Sequence, residues 1–181
     1  PTHGPTAPVA AAPHAAAGLR TAAYQQQPAK PAYDPAANTL ALNRWIVSST
    51  AEAVAKVTQE ITDYRFNEAA NAAYDFVWGK FCDWYIELAK PVFTEGSAAQ
   101  KAETQATAAF VLDQILKLLH PFMPFVTEEL WAETGKTGPA RSKLLITSEW
   151  PDLAGLQDPA AQAELDWLVA LISGIRSVRQ E

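Results

Sequence analysis

The sequence has 181 residues, of which 49% are hydrophobic, and a formal net charge of −6 at pH 7. This size allows one sizeable core with appendages, and the acidity excludes a general nucleic-acid coat, because nonspecific affinity comes mainly from Lys and Arg that neutralise phosphates. With a single cysteine, Cys82, and no apolar run of about 18 residues, we expect a soluble, cytoplasmic protein without an internal disulfide.

Residues 1–37 are rich in Ala and hold seven of the 13 prolines. Because proline interrupts helices and no apolar period is present, we predict a largely disordered linker here. The alternative is one short helix over 19–27 that docks on the body. His3 and His14 have no second ligand type nearby, so no metal site is predicted at them.

A helical period begins at Asn38 and predicts the first long helix. Its apolar residues recur three and four positions apart: Leu42, Ile46, Val54, Val57, Ile61 and Tyr64. A short junction around Arg65 and Phe66 makes the next helix antiparallel to it.

The longest amphipathic pattern runs from Phe66 to Pro91 and predicts a helix of about seven turns. Asn67 is expected to cap it, Glu68 to face the positive end of its dipole, and Pro91 to end it. Trp84 is predicted to be a core residue. At about 100° per residue, one narrow apolar sector forms. It comprises Phe66, Ala70, Ala73, Val77, Phe81, Trp84 and Leu88.

Ser97 followed by Gln100 has the form of a capping box and opens a third helix, closed by His120 at the favourable end of its dipole. Pro124 suits the first position of a short fourth helix, which stops near Gly135. The predicted inner face of the third helix consists of Ala102, Ala106, Ala109, Leu112, Leu116 and Leu119.

Residues 136–158 are predicted to connect the bundle to a last helix, with one short strand over 142–147. Asp158 followed by Pro159 is a strong helix start, and the apolar residues that follow must dock on something. The expected fold is therefore all-α: an antiparallel bundle over 38–135, with the start of a truncated subdomain at 159–181.

The residue patterns of known catalytic sites are absent from the sequence. It contains no Gly-rich phosphate loop, no Ser/His/Asp arrangement and no Cys/His spacing typical of metal sites. Glu128 and Glu129 are adjacent on one helix, so they point in different directions and suit a first-turn charge role. We predict no catalytic residue, no metal and no bound cofactor, and a helical binding or scaffold function.

Four strings in this order resemble the helical anticodon-binding domain of the bacterial valyl-tRNA synthetases, which are class I enzymes. They are NRWI at 43–46, YRFNEAA at 64–70, DFVWGKFCDWYIELAKP at 75–91 and HPFMPFVTEELW at 120–131. The resemblance covers 38–181, and the third string favours the valyl branch over the isoleucyl and leucyl relatives.

The resemblance implies a ligase of valine and tRNA that uses ATP, with catalytic and editing domains outside this chain. Neither His-x-Gly-His nor Lys-Met-Ser-Lys-Ser occurs here, so the chain alone should be inactive. It begins without Met and ends within a helical pattern, and we expect a piece of a longer, monomeric protein whose partners are tRNA(Val) and the missing domains. The alternatives are a structural module for protein partners and the equivalent isoleucyl or leucyl domain.

Seven residues are candidates for RNA contact. Trp45 breaks the pattern of its helix, lying roughly 140° from the middle of the apolar stripe. Three interpretations of its indole stay open: cover by the preceding chain or the catalytic domain, an RNA contact, and simple exposure. The candidates are Arg44, Trp45, Arg65, Lys80, Lys90, Lys101 and Lys117.

Overall fold

A computed structural model describes residues 33–138 and 141–180, so the predictions for His3, His14 and 19–27 lie outside the described residues. The described part forms five helices and no strand. The second helix, α2, is continuous through three segments: Phe66–Tyr74, the π-helix Asp75–Tyr85, and Ile86–Glu95. The others are α1 (Ala41–Thr62), α3 (Ala98–Leu119), α4 (Pro124–Gly135) and α5 (Pro159–Gln180).

The helices form the predicted all-α bundle. Both α2 and α3 pack on α1 with short connections, which makes successive helices antiparallel. One end of the bundle therefore holds the start of α1, the end of α2 and the start of α3, and the opposite end holds their other termini. Among the described residues, no helix is both long and apolar enough to cross a membrane.

The π-helix in α2 changes which residues face the core. Phe66 is 54% exposed, although it was predicted inside, whereas Ala69, Phe76, Tyr85 and Ala89 are buried. At about 100° per residue, Ala89 would lie about 200° around the helix from Ala69. The π-helical hydrogen bonds, which join residues five apart, turn the chain less per residue and bring both alanines to the core.

Two predictions for the ends of α2 are wrong. Pro91 does not end the helix, which continues for one more turn to Glu95. Pro91 and Glu87 are exposed, so water can reach the carbonyl of Glu87 that the missing proline N–H leaves unpaired. Asn67 does not cap the helix, because its side-chain amide donates to Oε1 of Glu68.

The inner face of α3 is more polar than predicted. Of the predicted residues only Leu116 is buried, and Ala102 is exposed. The capping box of Ser97 and Gln100 is confirmed. The face that meets α1 and α2 combines polar and apolar residues: Thr104, Thr107, Val111, Gln114, Ile115 and Leu118.

Glu103 of α3 caps the first turn of α1 from outside that helix. Its Oε1 accepts from the backbone N–H groups of Thr39 and Leu40 at 3.1 and 3.0 Å and from the side-chain amide of Asn43 at 2.9 Å. The hydroxyl of buried Tyr85 in turn donates to Oδ1 of Asn43 at 3.1 Å. Burial raises the pKa of Glu103, but these hydrogen bonds outweigh it and the net pKa is lowered.

The predicted strand over 142–147 is wrong. Leu145–Thr147 is a single 3-10 turn. The N–H groups of Leu145 and Ile146 donate to the two carboxylate oxygens of Glu128 at 2.9 and 3.2 Å. Glu128 therefore satisfies the backbone donors that a partner strand would otherwise have to pair.

The last helix, α5, docks on α1 and covers Trp45. Asp158 caps α5 as predicted, accepting from the N–H of Ala161 at 2.9 Å. Trp45 is 1% exposed, and its Nε1 donates to Oδ1 of Asp166 at 2.9 Å. The cover thus comes from the C-terminal helix of the same chain, and not from the two sources predicted. The division of the chain at 37, 135 and 158 stays a prediction.

Candidate nucleic-acid interface

The junction between α1 and α2 places an aromatic side chain in a strained backbone conformation. The N–H of Arg65 donates to the carbonyl of Glu60 at 2.8 Å and that of Tyr64 to Ile61 at 3.0 Å, which is the Schellman pattern. This pattern requires a left-handed residue, usually Gly, yet Tyr64 occupies the position with a φ of 59°. Its side chain is 82% exposed. Strain at an exposed aromatic residue marks this end of the bundle as a candidate site.

An apolar groove of about 510 Å³ opens beside this junction. It lies where the end of α1, the start of α2, the segment after α3 and the loop before α5 meet. Trp150 forms one wall, and its Nε1 donates to the hydroxyl of Thr58 at 2.7 Å. The lining consists of Thr58, Ile61, Thr62, Phe66, Pro121, Phe122 and Trp150.

Several aromatic rings at this end are open to solvent. Phe125, in the first turn of α4, is 91% exposed, Phe66 is 54% exposed, and Trp150 is 37% exposed. The ring of Tyr64 meets that of Phe66 edge to face with centroids 6.3 Å apart. These side chains offer ring faces on which unpaired bases can stack.

The α4 helix that carries Phe125 is held firmly on the bundle. The hydroxyl of Thr127 donates to the carbonyl of Met123 at 2.8 Å, so it accepts from Nδ1 of His120, also at 2.8 Å. Arg141 forms two 2.6 Å hydrogen bonds with Asp113 and lies 3.6 Å from the ring centroid of Trp131. His120 thus links α3 to α4, while its predicted effect on the dipole of α3 stays a prediction.

Two of the seven candidate contacts lie at the groove end. The side chain of Arg65 is 54% exposed, and its guanidinium pairs with Glu60 at 2.7 Å and Asp63 at 3.1 Å. Lys117 lies one turn before the groove residue Pro121, and burial lowers its pKa, opposed by the charges of Asp113 and Glu149. Both residues lie at this end of the bundle, although neither lines the groove.

A third cation at this end, Lys143, was missed from the sequence. It is 46% exposed, pairs with Glu149 at 3.7 Å, and lies close enough to Lys117 to affect its pKa. Lys143 falls in the segment predicted to be a strand. Only the fold brings that segment to the groove, so no sequence signal could single out Lys143.

The other candidates lie away from the groove. Arg44 pairs with Asp158 at 2.9 Å, Lys90 pairs with Glu87 at 2.6 Å, and Lys101 donates to the carbonyl of Thr94. These three belong to the opposite end of the bundle, which is roughly 30 Å away at 1.5 Å per residue of α1. Lys80 lies midway, 3.7 Å from Asp166. Trp45 has no open ring face, because α5 covers it.

The aromatic end suits recognition of a single-stranded loop more than chemistry. Proteins read RNA loops by stacking unpaired bases on aromatic rings and by hydrogen bonds to base edges. Here the exposed rings supply the first. The hydroxyl oxygen of Thr62, whose hydrogen is donated to the carbonyl of Thr58 at 2.8 Å, supplies an acceptor in the groove for the second. Within 33–138 and 141–180, no three residues of the His, Cys, Asp and Glu types are grouped as metal ligands.

Comparison with protein families decides what kind of domain this is. The family model described as the anticodon-binding domain of tRNA ligase matches residues 43–181. The chain belongs to this anticodon-binding domain family. The match begins inside α1 and extends through the described part of α5, so the groove lies entirely within the anticodon-binding domain.

Relatives of this anticodon-binding domain occur in valine–tRNA ligases. The chain is 54% identical to the ligase of Brucella suis biovar 1 over 151 residues, which is 83% of this chain and 16% of the relative. It is 57% identical to that of Mesorhizobium japonicum over 142 residues, or 78% of this chain and 15% of the relative. The chain thus spans about one sixth of the length of these relatives.

Proposed function

We propose that the aromatic end of this domain binds the anticodon loop of tRNA(Val) as part of a valine–tRNA ligase. In this proposal the longer protein attaches valine to the tRNA with ATP in the cytoplasm, as a monomer. This chain holds the anticodon stem and loop, so that the acceptor end stays in register with a catalytic domain elsewhere. The valine–tRNA ligases among its relatives support the choice of amino acid.

The observation that carries the proposal is the clustering of exposed rings with cations at one end. Tyr64, Phe66, Phe125 and Trp150 all have solvent-exposed surface there. Stacking of one base on such a ring is worth about 1–3 kcal/mol and tolerates any base. Arg65, Lys117 and Lys143 lie at the same end of the bundle, and phosphate contacts from them would position the loop without reading it.

The test compares two variants that each remove one exposed aromatic ring. Phe125 at the groove end is 91% exposed and Trp167 on α5 is 65% exposed, so neither ring supports the core. Phe125→Ser should weaken binding of a fluorescent tRNA(Val) anticodon stem-loop about tenfold, whereas Trp167→Ser should not. Equal affinity for both variants and the parent chain would contradict the proposed site.

A second titration tests the specificity for tRNA(Val). The same stem-loop with its anticodon bases replaced should bind more weakly, because acceptors in the groove such as the Thr62 hydroxyl oxygen would lose their base partners. If replacing the anticodon bases leaves the affinity unchanged, the domain contacts only the phosphate backbone. That result would overturn the proposal that it reads the anticodon.

A further inference from the structure

A second pair of exposed aromatic rings lies on α2, away from the groove. Tyr74 and Trp78 stack with their ring centroids 6.4 Å apart and their planes within 6°. They are 61% and 57% exposed. Trp78 lies within the π-helix, a feature found frequently at functional sites. Two ordered rings in water leave a large apolar surface without a partner in the described part of the chain.

This pair is separate from the proposed RNA site. Tyr74 and Trp78 follow Phe66 by eight and twelve residues, which corresponds to roughly 12–18 Å along a helix. Phe66 lines the groove, whereas neither Tyr74 nor Trp78 does. A ligand that fills the groove therefore does not cover the stacked pair, which requires a partner of its own.

The charges along α2 indicate what kind of partner fits. Between 66 and 95 the chain has five carboxylates and two lysines. Glu68, Asp75 and Asp83 are exposed. The lysines offset them only in part: Lys90 pairs with Glu87 at 2.6 Å, and Lys80 lines one pocket with Asp75 and with the oppositely charged Glu52 and Lys56 of α1, so the acidic excess of α2 remains. A phosphate backbone is repelled here, while a basic protein surface is attracted.

We propose that Tyr74 and Trp78 are the centre of a docking site for a protein surface with an apolar middle and a rim of Lys and Arg. That surface belongs to the part of the ligase polypeptide outside these 181 residues. The relatives are long enough to supply it, since the chain matches only 16% of the Brucella suis ligase. This inference rests on the proposed function, because it assumes that the chain is part of a valine–tRNA ligase.

Gly79, next to Trp78, allows the site to be blocked without disturbing the chain. A Cβ atom added to Gly79 meets nothing within 4 Å, and the residue is exposed. Arg also has a higher helix propensity than Gly. Gly79→Arg therefore leaves the fold of the isolated chain as stable as before or more so, but introduces bulk and positive charge where the basic partner should dock.

The first experiment identifies what touches Trp78 in the full-length ligase that contains this chain. Trp78 is replaced by p-benzoylphenylalanine, the protein is irradiated with and without tRNA(Val), and the products are mapped by mass spectrometry. A cross-link to a Lys- or Arg-flanked peptide outside the 181 residues supports the proposal. A cross-link to tRNA, a cross-link between two copies or the absence of any cross-link overturns it.

The same photoprobe at Phe125 separates this inference from the proposed RNA site. A tRNA cross-link from position 125, with a protein cross-link from position 78, supports both. A protein cross-link from 78 without one to tRNA from 125 contradicts the RNA site alone.

The second experiment adds Gly79→Arg to the Trp78 photoprobe. It should lower the yield of the protein cross-link by about fivefold or more, as expected when a docking centre is blocked. The melting temperature of the 181-residue Gly79→Arg chain serves as control and should not fall. An unchanged cross-link yield would overturn the proposal.

Discussion

The indole of Trp45 on α1 donates its Nε1 hydrogen to Oδ1 of Asp166 on α5 at 2.9 Å. The side chain that breaks the apolar pattern of α1 thereby forms a buried contact with the C-terminal helix. Trp45→Ala should lower the free energy of unfolding by about 3–5 kcal/mol, the range for large buried aromatic residues. Chemical denaturation followed by circular dichroism measures this.

Trp167 provides the matched control for Trp45. It is 65% exposed, so Trp167→Ala should change stability by no more than about 0.5 kcal/mol. Under conditions in which Trp45→Ala remains folded, it should bind the anticodon stem-loop as the parent chain does. If Trp45→Ala instead has normal stability but binds the RNA more weakly, Trp45 contacts the RNA.

Tyr64 should show opposite effects on stability and binding. Because a left-handed conformation costs a non-glycine residue about 1–2 kcal/mol, Tyr64→Gly should raise the free energy of unfolding by about 1 kcal/mol. Losing the ring should also weaken stem-loop binding about tenfold. Tyr64→Ala separates the two effects, since it keeps the strain and removes the ring. If both variants bind RNA normally, Tyr64 is not part of the interface.

The cations at the groove end should determine the salt dependence of RNA binding. Lys143→Gln and Lys117→Gln should each reduce the slope of log affinity against log salt by about one unit. Lys90→Gln is the control, because Lys90 lies at the opposite end of the bundle and pairs with Glu87. If all three substitutions reduce the salt slope equally, the RNA lies along the bundle and not at one end.

Glu103 should make the stability of the bundle sensitive to acid. Its pKa in the folded chain lies below the ordinary value of 4.5, so its contribution is complete above that pH and is lost as the pH falls through the lower folded pKa. At pH 7, Glu103→Gln should cost about 1–2 kcal/mol, the upper range for a helix cap. The difference from the parent chain should shrink below pH 4. If the stability difference between Glu103→Gln and the parent chain does not change with pH, the charge of the Glu103 carboxylate is not the cause of that difference.

The isolated 181-residue chain should fold but not activate valine. Buried residues of α1, α2, α3 and α5 form one core cluster, whereas the sequence has neither His-x-Gly-His nor Lys-Met-Ser-Lys-Ser. Circular dichroism should show a helical protein, and exchange of pyrophosphate into ATP with valine should stay at background. A disordered chain or measurable exchange would each contradict one half of this expectation.

Sequence patterns predicted the features of this fold that depend on nearby residues. The helix limits at Ser97, Pro124 and Asp158 follow from local capping chemistry, and all three are confirmed. The buried face of α2 could not be predicted by a fixed turn of 100° per residue, because the π-helix changes the turn within the element. Trp84 illustrates the result: it packs against the core but is only partly buried, with Arg176 5.1 Å from its ring centroid.

Features that join distant parts of the chain could not be predicted from the sequence. The groove combines residues from Thr58 to Trp150, and the cover on Trp45 comes from a residue 121 positions later. Thr104 and Thr107 lie outside the predicted inner face of α3, yet they are buried, with hydrogen-bond partners in Asn43 and Tyr33 on other segments. Hydrophobic pattern cannot reveal a polar residue that is satisfied across the fold.

The cap that Glu103 provides has a consequence for the order in which the helices form. Leu40 at the start of α1 has no side chain that can cap the helix, so its first turn depends on a carboxylate more than 60 residues later. By contrast, α3 begins with its own Ser97 and Gln100 box and can nucleate locally. We therefore expect the first turn of α1 to form only after the folding transition state, when α3 docks. Glu103→Gln should then accelerate unfolding while leaving the folding rate almost unchanged.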